Sequence, residues 1–210
     1  MSTGSVLTAI ALVVFGYLVG SLSPSVWLGR IFKGIDIREH GSGNAGTTNA
    51  FRLLGTRLGI AVLLADFLKG VIPVVVAQFL STPLVTVIVA FVCVLGHNYS
   101  IFLRGRGGKG VATGAGAATG MMPIPMVILV VLFAILSFGT RIISIASITC
   151  TILLPIIAFL FHQPLPYIVG CCLMSLVVLW AHRRNIVRLL RREEPRAVFP
   201  WNKKPAGPAG

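Results

Sequence analysis

Three short stretches hold the residues of this chain best suited to chemistry, and all three favour an anion. The first is GSGNAGTTNAFR (41–52). Its glycines Gly41, Gly43 and Gly46 permit backbone conformations in which successive N–H groups converge, and Ser42, Thr47, Thr48 and Asn49 add side-chain donors. The spacing predicts a short helix running through Arg52, capped by Thr47 or Thr48. Such a helix puts Arg52 on the face of Thr48 and Asn49. A helix N-terminus beside an Arg suits a phosphate or a carboxylate. A plain Gly/Ser linker needs neither the two Asn nor the Arg.

The second stretch, RGRGGKG (104–110), resembles a phosphate loop but fails the nucleotide-binding pattern, with Leu103 and Gly110 where Gly and Ser or Thr are required. Its glycine amides beside Lys109, at the start of a helix, still favour an anion. The third, HRRNIVRLL (182–190), sets His182 and Asn185 three residues apart on one helical face, while Arg183 and Arg184 read as topology anchors. Within the apolar spans, Asp66 and Lys69 form an i,i+3 acid–base pair. Intramembrane ionisable residues are functional candidates by default, but this spacing favours a structural ion pair that orients the site. His97, near the inner end of its span, can line the same cavity.

These stretches sit between elements of a different character. Of the 210 residues, 56% are hydrophobic and 11% charged, with mean hydropathy +0.93, so the chain reads as one integral membrane domain. Apolar runs place spans near 5–28, 58–80, 83–103, 123–139, 142–161 and 165–182. The first carries no basic n-region and reads as an uncleaved span. The stretch GVATGAGAATGM (110–121) is small and uncharged, and charge placement decides whether it is a loop or a seventh span. With seven spans and the N-terminus outside, every Lys and Arg except Lys69 falls on an inner segment or in the tail, and the outer connections carry none. Six spans put Arg141 and the tail on opposite sides. The expectation is therefore an all-α integral membrane protein of seven transmembrane helices, N-terminus outside and C-terminus cytoplasmic. Its single domain covers 1–192, followed by a disordered tail, 193–210.

The net charge of +13 is a topology signal, and its scatter over several segments excludes a nucleic-acid interface. Gly114, Gly116 and Ala118 are small enough for close helix packing. Cys93, Cys150, Cys171 and Cys172 lie in apolar runs without metal-ligand spacing, so neither a metal nor another cofactor is expected. No GxSxG elbow or Ser-His-Asp grouping is visible, and no His is followed five residues later by Asp, which excludes the HxxxxD acyltransferases.

Taken in order, GSGNAGTTNAFRLLG, ADFLKG, GHNYSIFLRGRGGKGVAT and HRRNIVRLL closely resemble the bacterial acyl-phosphate:glycerol-3-phosphate acyltransferase family, over roughly 16–192. The resemblance implies seven helices in the bacterial inner membrane, with the active site on the cytoplasmic face. It implies acyl transfer from acyl phosphate to the sn-1 hydroxyl of glycerol 3-phosphate, giving lysophosphatidic acid and phosphate. By the same resemblance Ser42, Arg52, Lys109, His182 and Asn185 are catalytic. Gly43, Asn44, Gly46, Thr48, Asn49, Gly107 and Gly108 bind substrate, and Asp66, Lys69 and His97 orient the site. The partners are the two substrates and the bilayer, with the soluble enzyme that makes acyl phosphate a candidate. An acyl phosphate is a mixed anhydride and already activated, which accounts for the missing nucleophile. The chain departs from the family pattern at GSLSPS (20–25), Thr47, Ser100 and Arg106, none of them a proposed catalytic residue. The competing reading, a transporter of a phosphorylated solute, calls for repeat symmetry and midplane polar residues, and no internal repeat is visible.

Overall fold

The computed structural model describes residues 3–197, which form ten α-helices and two short 3-10 turns, Ile37–Glu39 and Ile101–Leu103. The helices are α1 (Thr3–Ser21), α2 (Pro24–Lys33), α3 (Thr47–Leu54), α4 (Thr56–Leu80) and α5 (Pro83–Asn98), then α6 (Val111–Met121), α7 (Pro123–Thr140), α8 (Ile143–Leu160), α9 (Leu165–Ala181) and α10 (Arg183–Leu190).

Among the described residues, five segments are long and apolar enough to cross a bilayer: Thr3–Lys33, in which α1 and α2 run on, then α4, α5 with its following turn, α7 and α8. The pair α9 and α10, bent by 61° at His182, makes a sixth if the two count as one span. The expected runs and these helices agree to within a few residues. The stretch that charge placement marked as a further span is α6, eleven residues long. At ~1.5 Å per residue it rises roughly 16 Å, about half the hydrocarbon thickness.

Small residues explain how so short a helix is held. A β-carbon on Gly70 of α4 would lie 2.8 Å from the backbone nitrogen of Ala117, and one on Gly116 of α6 would lie 2.9 Å from the carbonyl carbon of Phe67. The two backbones touch, the arrangement that apolar helix packing favours where lipid offers no hydrophobic driving force. Packing is thus the use of Gly116 and of the fully buried Ala118, whereas Gly114 borders the central cavity.

The break between α1 and α2 at Leu22–Ser23 is tied from three sides. Lys69 Nζ donates to the carbonyl of Leu22 (2.5 Å), Ser100 Oγ to that of Ser21 (2.6 Å), and Ser25 Oγ to that of Ala45 (2.7 Å). The first two bonds satisfy backbone carbonyls that an interrupted helix leaves open, and the third ties the start of α2 to the loop before α3. Ser100 and Ser25, two of the departures from the family pattern, therefore have work in the fold.

Residues 193–197 belong to the folded unit. The amide of Ala197 donates to the carbonyl of Arg141 (2.6 Å), in the turn between α7 and α8, and Glu194 is bonded to both α8 and α10. The remainder of the expected tail, 198–210, lies outside the described residues.

A Gly116→Val substitution is expected to part α4 from α6 and lower the melting temperature of the detergent-solubilised protein, as overpacking typically costs ~1–3 kcal/mol. Unchanged melting would contradict the backbone contact.

Candidate active site

The first polar stretch folds into a loop closed from within. Asp36 accepts from Arg38 at 2.9 and 2.6 Å and from Arg30 at 2.9 Å, and these partners, Arg38 foremost, hold its carboxyl well below the usual carboxylate range. Gly41 and Gly43 adopt φ of +62° and +68°, the left-handed region that glycine occupies without strain. Between them and α3 lies Asn49, 2% exposed. Its Nδ2 donates to the carbonyls of Ile37 (2.8 Å), His40 (3.2 Å) and Asn44 (3.1 Å), while its Oδ1 accepts from the Ser42 amide (3.1 Å).

The amide of Asn49 is therefore used up inside the loop, and its geometry is that of a brace holding Ser42 and Asn44 at the cavity wall. The expected short helix is present as α3. Its N-cap is Gly46 rather than a threonine, with no side-chain cap bond. Thr47 turns its hydroxyl to Asp66 Oδ2 instead (3.4 Å). Ser42, Asn44, Gly46, Thr47, Thr48 and Arg52 all border one cavity, and Gly43 sits in the loop behind them.

The second stretch differs from expectation in one respect. The amides of Gly107 and Gly108 are spent on the carbonyls of Asn98 (3.1 Å) and His97 (3.0 Å) at the end of α5, so they do not face an anion. Both glycines are there for closeness. A β-carbon on Gly108 would run into the His97 ring, 2.9 Å from its Cε1. This zipper carries Lys109 to the cavity, where Nζ donates to Asn185 Oδ1 (2.6 Å). Burial lowers the Lys109 pKa to about 8; Glu194 opposes the shift, while Arg188 and Arg52 add to it.

His182, 2% exposed, ends α9, and its Nδ1 lies 2.8 Å from the carbonyl of Val178. A carbonyl only accepts, so Nδ1 carries the hydrogen and the neutral ring keeps its lone pair on Nε2. His182 borders the cavity directly. Asn185, expected on the same face of a continuous helix, lies beyond the bend in α10 and joins the site through Lys109.

Asp66 and Lys69 form an ion pair at 2.7 Å, both buried, and His97 Nδ1 lies 3.7 Å from Asp66 Oδ1 and 3.0 Å from Thr113 Oγ1. Together they join α3, α4, α5, α6 and the α1–α2 break. That is an orienting geometry for all three residues.

The cavity encloses about 700 Å³. Its rim is polar and cationic, with Arg52, Lys109 and Arg188. Further in, the walls are Phe67, Leu129, Phe133, Leu154 and Met174. Two hydroxyls along that wall are satisfied internally: Ser147 Oγ donates to the carbonyl of Ile143 (2.9 Å) and Ser175 Oγ to that of Thr151 (2.7 Å). The polar, cationic part suits an anion and the apolar part suits hydrocarbon.

The family model described as glycerol-3-phosphate acyltransferase matches residues 10–192. The chain belongs to the glycerol-3-phosphate acyltransferase family. It is 39% identical over 188 residues to the glycerol-3-phosphate acyltransferase of Fusobacterium nucleatum, covering 89% of this chain and 97% of that one. It is 42% identical over 193 residues to that of Bacillus cytotoxicus, covering 92% and 97%. Its fold is that of crystal structures of PlsY, an integral membrane glycerol 3-phosphate acyltransferase. Against the glycerol 3-phosphate form the TM-score is 0.88 at 35% identity, covering 91% of this chain and 96% of that one; against the lysophosphatidic acid form it is 0.85 at 34%, with the same coverage.

For this acyltransferase-family chain, three residues at the site were not anticipated: Glu194, Ser144 and Arg188. Glu194 accepts from Asn185 Nδ2 (2.5 Å), Ser144 Oγ (2.8 Å) and Arg188 Nε (2.6 Å), and both Glu194 and Ser144 border the cavity. The available signal was scarcity: the chain has five acids against 18 bases, so each carboxylate is worth asking about.

Replacing Asn49 with Ala leaves the Ser42 amide and the Asn44 carbonyl without a partner, while the carbonyls of Ile37 and His40 keep the amides of His40 and Gly43. A loss of ~1–3 kcal/mol per buried unpaired group is expected, read as a lower melting temperature in detergent. A shift within error would contradict the brace.

Proposed function

We propose that the protein transfers a fatty acyl group from acyl phosphate to the sn-1 hydroxyl of glycerol 3-phosphate, releasing lysophosphatidic acid and inorganic phosphate. The observation that carries this reading is the undivided cavity, cationic at its rim and hydrocarbon-walled within. An acyl phosphate has those two ends in that order.

In this reading Arg52 and Lys109 hold the substrate phosphates, with the donors of the loop from Ser42 to Thr48 cradling one of them. The two anions repel each other, so a fixed array of cations lowers the cost of bringing them together and stabilises charge on the departing phosphate. The sn-1 oxygen forms its bond to the acyl carbonyl carbon as the carbonyl–phosphate C–O bond breaks. The hydroxyl proton goes to Nε2 of His182 or to an oxygen of the leaving phosphate. No protein nucleophile takes part, because the mixed anhydride is already activated.

The placement of basic residues supports seven crossings with the N-terminus outside, α6 serving as the short seventh beside α4, and the catalytic rim at the cytoplasmic face of a bacterial inner membrane. The soluble enzyme that makes acyl phosphate is the partner this reading supplies.

Purified protein given palmitoyl phosphate and glycerol 3-phosphate is expected to yield lysophosphatidic acid, and palmitoyl-CoA is expected not to replace the donor. No product from folded protein would sink the enzyme reading, and equal use of the thioester would undo the donor. Arg52→Ala and Lys109→Ala are each expected to cut turnover ~10²-fold or more, as loss of preorganised charge typically does. Near-normal turnover in either would refute its assigned role.

A further inference from the structure

We propose that Glu194 is a positioning residue of this site, orienting the Asn185 amide and keeping Lys109 charged against the substrate phosphate. The proposal builds on the reading above.

The geometry admits one orientation of Asn185. Its Oδ1 meets Lys109 Nζ at 2.6 Å, and an ammonium group only donates. Its Nδ2 meets Glu194 Oε1 at 2.5 Å, and a carboxylate only accepts. Reversing the amide would oppose donor to donor on one side and acceptor to acceptor on the other. Asn185 thus works as a link that passes the placement of Glu194 on to the lysine.

Glu194 is itself held firmly. Its side chain is 8% exposed and accepts from Arg188 Nε (2.6 Å) and Ser144 Oγ (2.8 Å) as well as from Asn185. Three residues on, the Ala197 amide fastens the chain to the Arg141 carbonyl. The segment following α10 is therefore a strap fastened along the cavity, with Pro195 and Ala197 among the bordering residues.

Charge gives the strap its chemical role. Lys109 faces Arg52 from α3, Arg188 from α10 and His182 from the end of α9. Among the described residues, Glu194 is the carboxylate that acts on Lys109. Burial foremost, and then the guanidinium groups of Arg188 and Arg52, favour the neutral amine, and Glu194 opposes them. Removing its charge lets the proton leave Lys109 at lower pH. Activity is then lost earlier on the alkaline side.

The test is the pH profile of kcat/KM for acyl phosphate in the wild type, Glu194→Gln and Glu194→Asp, with folding checked by melting temperature. Glu194→Gln is expected to lose roughly 10-fold or more near neutrality, the scale of effect for residues that orient a functional group, and to move the alkaline limb to lower pH. Glu194→Asp keeps the charge but shortens the reach, so its kcat falls while the limb stays near the wild-type position. Ser144→Ala loosens the strap without changing charge and leaves the limb in place. An unmoved limb in folded Glu194→Gln would overturn the proposal, as would an equal shift in Ser144→Ala. If Glu194→Gln does not fold, Glu194→Asp decides, and a displaced limb there counts against the proposal. Calorimetric titration with inorganic phosphate across the same pH range separates this claim from the reaction. Should the wild type form no lysophosphatidic acid, the functional reading fails. Glu194 then stands or falls on whether Glu194→Gln weakens phosphate binding at alkaline pH more than at neutral pH.

Discussion

The buried ion pair of Asp66 and Lys69 is the constraint on which the site depends. Two ions cannot sit within an apolar bundle unless each is matched and further bonded, because desolvation otherwise exceeds the attraction between them. Here the surplus bonding capacity is spent on other elements. Lys69 closes the carbonyl at the break between α1 and α2, and Asp66 takes the hydroxyl at the head of α3 and lies beside His97 of α5. His97 then bonds Thr113 of α6 and backs the glycine zipper that delivers Lys109. In the proposed reaction the pair performs no step. It fixes the two rims that carry Arg52 and Lys109 relative to each other, and preorganised charge stabilises a departing phosphate only while it stays where it is put.

A second chain of contacts, Lys109–Asn185–Glu194–Arg188, closes the rim from the other side. Charges alternate along it, so each polar group is satisfied at the edge of a hydrocarbon-walled cavity. A surplus of cation at Arg52 and Lys109 faces the space that the proposed reaction assigns to the substrate phosphates. A site of this kind needs few acids, and the composition of the chain reflects that.

Much of the fold was legible because a bilayer imposes length and apolarity on whatever crosses it. The runs read near 58–80 and 142–161 are α4 and α8 almost residue for residue. The helix through Arg52 was legible too, since glycines before a run of good helix formers mark a start. Its cap was not, because Thr47 is drawn to Asp66 by a tertiary contact that local pattern cannot encode. For the same reason Gly107 and Gly108 looked like anion-binding amides. Only the approach of the α5 end shows that those amides are already engaged. Glu194 was hardest to see: its partners lie nine residues away at Asn185 and fifty at Ser144, and a carboxylate in a basic terminal stretch gives no periodic signal. The bend at His182, which separates α9 from α10, likewise arises at a boundary where helical pattern alone reads straight through.

The central claim is that this cavity aligns an activated donor with its acceptor and that the protein never carries the acyl group itself. Radiolabelled palmitoyl phosphate incubated with the protein, quenched in acid and resolved under denaturing conditions, tests that claim most directly. The account predicts no label on the polypeptide in the absence of glycerol 3-phosphate, and label in lysophosphatidic acid once the acceptor is added. Stoichiometric label on the protein that chases into product would contradict it.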